Sequence, residues 1–273
     1  MSLNVKLPTP LEYFAQLVQS DDELPLLEAV ASLAHDAYPM LDTEAVRDQM
    51  DQLSARMLKQ LPRSADPLQR LGALNHFFFD ELKFGINRND FYQPDNSFVH
   101  RVLETRLGIP ISLGVLWLEL AQGIGLKALG IGFPWHFLVS VSVAQGLVVL
   151  YPATGQSLSR EQLGEHLDGL APADESGQLI RLDVDACLKP STPREIVARM
   201  LRNLREIYVS QGERERELAV LHRLVLLLPG HADLRRERGL LLAELGQTAL
   251  ALDDLEWFMR QAEDEVTRSS VAA

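Results

Sequence analysis

Cys187 is the only thiol in this 273-residue sequence, and its seven histidines are the side chains most ready for base or metal chemistry. A thiolate acts as nucleophile or metal ligand only in an electropositive, partly open setting. Cys187 instead sits among Val184, Ala186 and Leu188, which predicts a buried and inert side chain. His35, His76, His100, His166, His222 and His231 show no paired spacing, with one another or with the cysteine, of the kind that holds zinc. Gly123, Gly125, Gly130 and Gly132 punctuate turns and do not open a helix after a strand, so no phosphate loop is expected and no cofactor is implied. Ser112 falls in the first turn of a predicted helix, where its hydroxyl caps an exposed amide. His136, between Trp135 and Phe137, heads an alternating stretch.

The elements that must position these residues follow from periodicity. From Thr9 to about Phe84, apolar residues recur at helical spacing with breaks at Asp21-Asp22, Pro39 and Pro62-Arg63-Ser64, which predicts four helices. Thr9 before Pro10 and Asp66 before Pro67 are helix starts, because a side-chain oxygen satisfies free amides where proline needs no partner. Phe77, Phe78 and Phe79 look like the seam to the next layer. A short helix over Ser97 to Leu107 is expected to end at a left-handed Gly108. The helix from Pro110 to Gln122 is apolar around most of its circumference and should be buried, with Trp117 in the core. β-rich runs follow at Ala128 to Phe133, Phe137 to Val143 and Leu147 to Tyr151, an antiparallel meander packed on that helix. Ser159 and Gln162 make a capping-box spacing for one more helix. Asp168 to Ser191, with a strand candidate at Leu179 to Leu182, reads as a connection, and Thr192 to Glu195 restarts helix with a second box.

Beyond Thr192 the sequence repeats. Gly212 and Gly246 stand 34 residues apart, as do Leu221 and Leu255, and Leu224 and Phe258. Thirty-four is the tetratricopeptide period, in which each unit is a helix hairpin stacked on the next. A plain four-helix extension is the competing reading. Glu217 occupies a position where the repeat has a small alanine, as the second unit does at Ala251, so Glu217→Ala is expected to be neutral or stabilising. Two repeats fall short of the three usually needed for independent stability, so the tail should pack against the core domain. Its surface is either a peptide groove or scaffolding.

The balance of 26 basic against 38 acidic residues disfavours nucleic acid. The start lacks a signal-peptide pattern, no run of about 18 apolar residues appears, and an unpaired cysteine suits a reducing compartment, so a cytoplasmic protein without a membrane partner is expected.

The stretch NSFVHRVLETRLGIPISLGVLWLELAQGIGL, followed by GIGFPWHFLVSV and LVVLYPATG, resembles the transglutaminase-like superfamily. It is most similar there to the bacterial SirB-type proteins, which join such a core to C-terminal tetratricopeptide repeats. The order of parts matches from about Leu11 to Glu263. The fold this implies is α+β: a helical N-terminal layer with a transglutaminase-like, papain-like core over residues 1–191, then an all-α tetratricopeptide-like tail over 192–273. Such enzymes use a cysteine at a helix start, a histidine on the following strand and an aspartate on the next; the helix end and imidazolium favour the thiolate, and the carboxylate orients the ring. Aligned here without gaps, the cysteine position falls on Pro110, and with a slip of two on Ser112. The histidine carries over as His136, and Tyr151-Pro152 stands where the family has aspartate-proline.

The resemblance therefore implies a remnant site of Ser112, His136 and Tyr151, with His136 on a strand within reach of Ser112. A phenol supplies no negative charge to an imidazolium, and disabling the acid of a serine triad alone costs about 10⁴ in turnover. The expected function is a catalytically degenerate, regulatory module that binds a protein or peptide. A weak hydrolase or acyltransferase using a Ser112–His136 dyad is the alternative, and a structural subunit is a third class.

Overall fold

The computed structural model describes residues 8–169 and 182–271, with side chains to residue 261. The strand candidate at Leu179 to Leu182 falls almost wholly outside them. In chain order the helices are α1 (Pro10–Leu17), α2 (Leu26–Ser32), α3 (Thr43–Gln60), α4 (Pro67–Asn75), α5 (Val99–Thr105), α6 (Pro110–Gly123), α7 (Arg160–Asp168), α8 (Val184–Cys187), α9 (Pro193–Gln211), α10 (Arg214–Leu227), α11 (Ala232–Glu244) and α12 (Thr248–Val271). The strands are β1 (Gly85–Ile86), β2 (Leu107–Gly108), β3 (Ala128–Ile131), β4 (Leu138–Val143), β5 (Gly146–Tyr151) and β6 (Gln156–Ser157). This is the expected α+β chain with a helical tail.

Helix starts follow the local chemistry. Thr9, Asp66 and Ser159 each accept from the amide three residues on, and Glu12, Gln69 and Gln162 reach back to the cap amides, closing reciprocal boxes. Thr192 and Glu195 do the same at α9. The end of α5 differs from expectation. Arg106, at φ 64°, is its left-handed cap, while Gly108 belongs to β2 and pairs in parallel with Ile86. Gly108 is needed for space: a Cβ there would come within 2.7 Å of the Ser112 Oγ.

Contacts divide the chain into two compact units. Among the described residues, one comprises Pro25–Ala31 and Leu41–Val197; the other comprises residues 8–24, Ser32–Met40 and the helices from Ala198 on. By packing, α1 thus joins the tail, where it lies against α10.

The first unit is built around the antiparallel sheet β3-β4-β5-β6. Its two faces are covered by different helices. On one, α6 buries everything from Ile111 to Leu118 and packs on β3 and β4. The Phe137 ring fills a slot between Gly114 of α6 and Gly130 of β3, where added Cβ atoms would come within 2.6 and 2.8 Å of it. Gly130, expected at a turn, is thus a strand residue whose missing side chain makes room. On the other face Leu138 and Val149 cluster with Ile131 and Phe133 and with Leu163 and Leu167 of α7; Cys187 and Leu188 pack beside them, half-buried. Trp117 is 1% exposed, and its indole N–H donates to Oδ1 of Asn75 at 3.0 Å.

In the tail, Gly212 and Gly246 take left-handed φ values of 72° and 74° at the two helix-hairpin turns. Where α11 crosses α12, Gly239 is close enough to Leu255 that a Cβ would lie 2.9 Å away.

Candidate functional site

Ser112 is fully buried at the third position of α6. Its hydroxyl donates to the Asn96 carbonyl at 2.6 Å and accepts from the Ile109 amide at 3.1 Å. The Asn96 side chain is fixed in turn by the carbonyls of Asp90 and Phe91. The serine therefore ties the start of α6 to the preceding loop, and its one hydrogen is committed to a backbone oxygen.

His136 stands just before β4 and not on a strand. Its amide donates to the Phe133 carbonyl at 3.0 Å, closing a turn with Pro134 at the second position and Trp135, at φ 60°, at the third. That is type II geometry, in which the third position favours glycine. Trp135 is 78% exposed there. Side chains alternate across a strand, and this places the expected dyad apart: Phe137 and Pro152 face Gly114 of α6, whereas Leu138, Val149 and Tyr151 face α7. His136 shares the second set. Its ring lies 6.1 Å from that of Tyr151, edge-on, and 5.1 Å from that of His166 on α7. The expected neighbourhood of His136 and Tyr151 is present; that of His136 and Ser112 is not, because the serine lies under the opposite face.

A pocket of about 210 Å³ opens between β4, β5, β6 and α7. Phe133, Leu138, Leu158 and Leu163 form its apolar part. His136, Tyr151, Gln156 and His166 supply its polar atoms. Burial pushes the Tyr151 phenol above its ordinary value, keeping it neutral. Sequence reasoning missed His166, whose place three residues after Leu163 on a helix capped at Ser159 puts both on one face.

The tail carries a second concavity of about 610 Å³ along α9, α10 and α11. Arg202, Arg205, Val209 and Ser210 line it from α9, facing Asp233 and Glu237 from α11. Glu217, expected to be dispensable, is 4% exposed and holds two cations: Arg214 Nη1 donates to it at 2.9 Å and Arg205 Nε at 3.4 Å. Arg205 also reaches Glu237. Among the described residues no group of three or more His, Cys, Asp or Glu side chains is placed to hold a metal, and no helix is long and apolar enough to cross a membrane.

A transglutaminase-like sheet and helix in one unit and stacked helix hairpins in the other define the class. The transglutaminase-like superfamily model matches residues 44–202 and a tetratricopeptide repeat model matches 204–273, so the chain belongs to the transglutaminase-like superfamily and carries a repeat tail. It is 33% identical over 267 residues to the UPF0162 protein of Xylella fastidiosa strain Temecula1, covering 92% of this chain and 89% of the relative. It is 25% identical over 238 residues to the UPF0162 protein YchA of Escherichia coli K12, covering 86% and 85%. A 71-residue stretch is 44% identical to mouse F-box only protein 21, covering 26% of this chain and 11% of that protein. No solved structure matches the chain.

Proposed function

We propose that this protein is a bacterial cytoplasmic module that binds a protein or peptide through its repeat tail and whose transglutaminase-like core is catalytically degenerate. The observation that carries the second half is the Ser112 hydroxyl, buried and donating to the Asn96 carbonyl while the His136 ring lies beside Tyr151 and His166. Proline stands at the other candidate position for the thiol, and a neutral Tyr151 stands where the family has its carboxylate. A Ser112–His136 hydrolase would require both residues to leave these positions. The binding half is supported by the match to tetratricopeptide repeats and by the groove, whose mixed charges and exposed apolar Val209 suit an extended peptide. The SirB-type resemblance of the GIPISL and PWHF segments favours a regulatory setting.

The test uses the full chain. A photo-crosslinking side chain at Val209, 46% exposed on the groove, is expected to trap a discrete partner, and Arg202→Glu is expected to abolish the adduct while leaving the melting temperature unchanged. Adducts that survive Arg202→Glu would refute the groove. An electrophile aimed at active-site nucleophiles is expected to leave Ser112 unmodified; stoichiometric labelling lost in His136→Ala would establish the hydrolase.

A further inference from the structure

We propose that His222 is a proton-operated latch between the two helix hairpins of the tail, closed while its ring is neutral and loosened when the ring takes a proton. The side chain is half-buried on α10, and its Nδ1 stands 3.2 Å from Nη1 of Arg238 on α11. A guanidinium has donors and no acceptor, and it keeps its charge at any ordinary pH. The Nδ1 atom is therefore the acceptor, and the imidazole is neutral with its hydrogen on Nε2. Protonation would turn that nitrogen into a donor facing a donor and set a second cation against the first.

The charged groups around the ring are already engaged with one another. From α11, Arg238 also grips Asp254 of α12, its Nε and Nη2 donating at 2.6 and 2.7 Å. Asp254 is 3% exposed, and Arg235 of α11 lies 3.7 Å from it. On α10 itself Arg223, 2% exposed, is bidentate on Asp36 of the turn at Leu33–Asp36. The helix α1 also packs on α10, and its Glu12 closes the capping box with Thr9. Burial first, then the Arg238 and Arg223 charges, hold the imidazole below its ordinary value, against the opposing pull of Asp254 and Asp36. The unfolded chain thus takes the proton first. Stability is lost as pH falls from the ordinary histidine value of about 6.5 through the lowered one, and the loss is complete below it. All these groups lie in the unit that holds the repeats, so the transglutaminase-like unit should not respond.

The experiment measures amide hydrogen exchange of the full-length protein at about pH 7.5 and about pH 5, an interval in which imidazoles generally change charge and ordinary carboxylates remain ionised. After correction for intrinsic exchange, protection in α10 and α11 is expected to fall on the order of tenfold in acid, while α6 and β4 keep theirs. His222→Gln, whose carboxamide oxygen accepts from Arg238 at either pH, should retain the protection of α10 and α11. An equal fall in that variant, or an equal fall in α6 and β4, would overturn the proposal. Nitrogen-15 NMR of the His222 ring in the unmutated protein gives a second reading that does not depend on the variant folding. An unprotonated Nδ1 at neutral pH and a titration midpoint below that of a histidine peptide are expected; a hydrogen on Nδ1, or a midpoint at or above the peptide's, would equally refute the latch. Both readings are taken without any peptide in the groove, so they stand apart from the binding proposed for the tail.

Discussion

Arg205 and Glu217 meet at 3.4 Å at the positions that Gly239 and Ala251 hold one repeat, 34 residues, later. Where the second hairpin closes by bringing small residues together, the first closes with an ion pair. Glu217→Ala is therefore expected to destabilise by about 1–3 kcal/mol, since it strips a buried anion from two arginines. Arg205→Ala with Glu217→Ala, which recreates the small contact, should recover much of that loss. A double-mutant cycle in urea checks it; additive effects would show that the two side chains do not interact.

Trp117→Ala should cost about 3–5 kcal/mol, the usual penalty for deleting a buried large aromatic. Trp117→Phe should cost about 1–3 kcal/mol, because it keeps most of the volume and leaves the Asn75 carboxamide without its donor. Equal losses in denaturant titrations would mean that the indole hydrogen bond, not the ring, dominates.

Trp135→Gly should stabilise the protein by about 1 kcal/mol, as the third position of its type II turn is strained for any side chain. A lowered melting temperature would show that the exposed indole makes compensating contacts.

Burial, and secondarily the neighbouring charge of Asp51, raises the carboxyl pKa of Glu119 on α6. The folded state then holds a proton that the unfolded chain releases, so this group lowers stability as pH rises from the ordinary carboxylate value through the raised one, and the loss is complete above it. Glu119→Gln should accordingly raise stability at neutral pH, with the gain fading in acid. A gain independent of pH would assign the effect to packing.

Ser112→Ala should cost about 1–2 kcal/mol, from the lost tie to Asn96. Thermal melts alongside Ser112→Thr, which keeps the hydroxyl, distinguish loss of the bond from loss of fit.

Local signals were readable from residue types alone. The capping boxes at Thr9, Asp66 and Ser159, the burial of α6 and the antiparallel order of β3 to β5 each depend on neighbours within a few residues. Which sheet face His136 joins was not, because alternation gives two sets of side chains without saying which helix covers each. The clue lay in Gly114 and in Gly130, the latter read as turn punctuation, when their use is to admit the Phe137 ring. With Phe137 packed against Gly114 of α6, the His136 ring lies beside Tyr151 and His166 of α7. Glu217 misled for a related reason: a charged residue in a small-residue position signals a partner, and Arg205 lies twelve residues away in an adjoining helix.

The grouping of α1 with the repeats has no local signature at all, and it bears on how the protein is made. Asp36 and Arg223 form a bidentate pair across 187 residues of chain, and Leu41–Val197, most of the transglutaminase-like unit, lies in sequence between the segments they tie together. During vectorial synthesis at about 5–20 residues per second, the N-terminal helix leaves the ribosome roughly 10–40 s before α10 exists to receive it. Through that interval the helix carrying Phe14, fully buried in the finished protein, has the turn at Leu33–Asp36 to pack on but not yet α10.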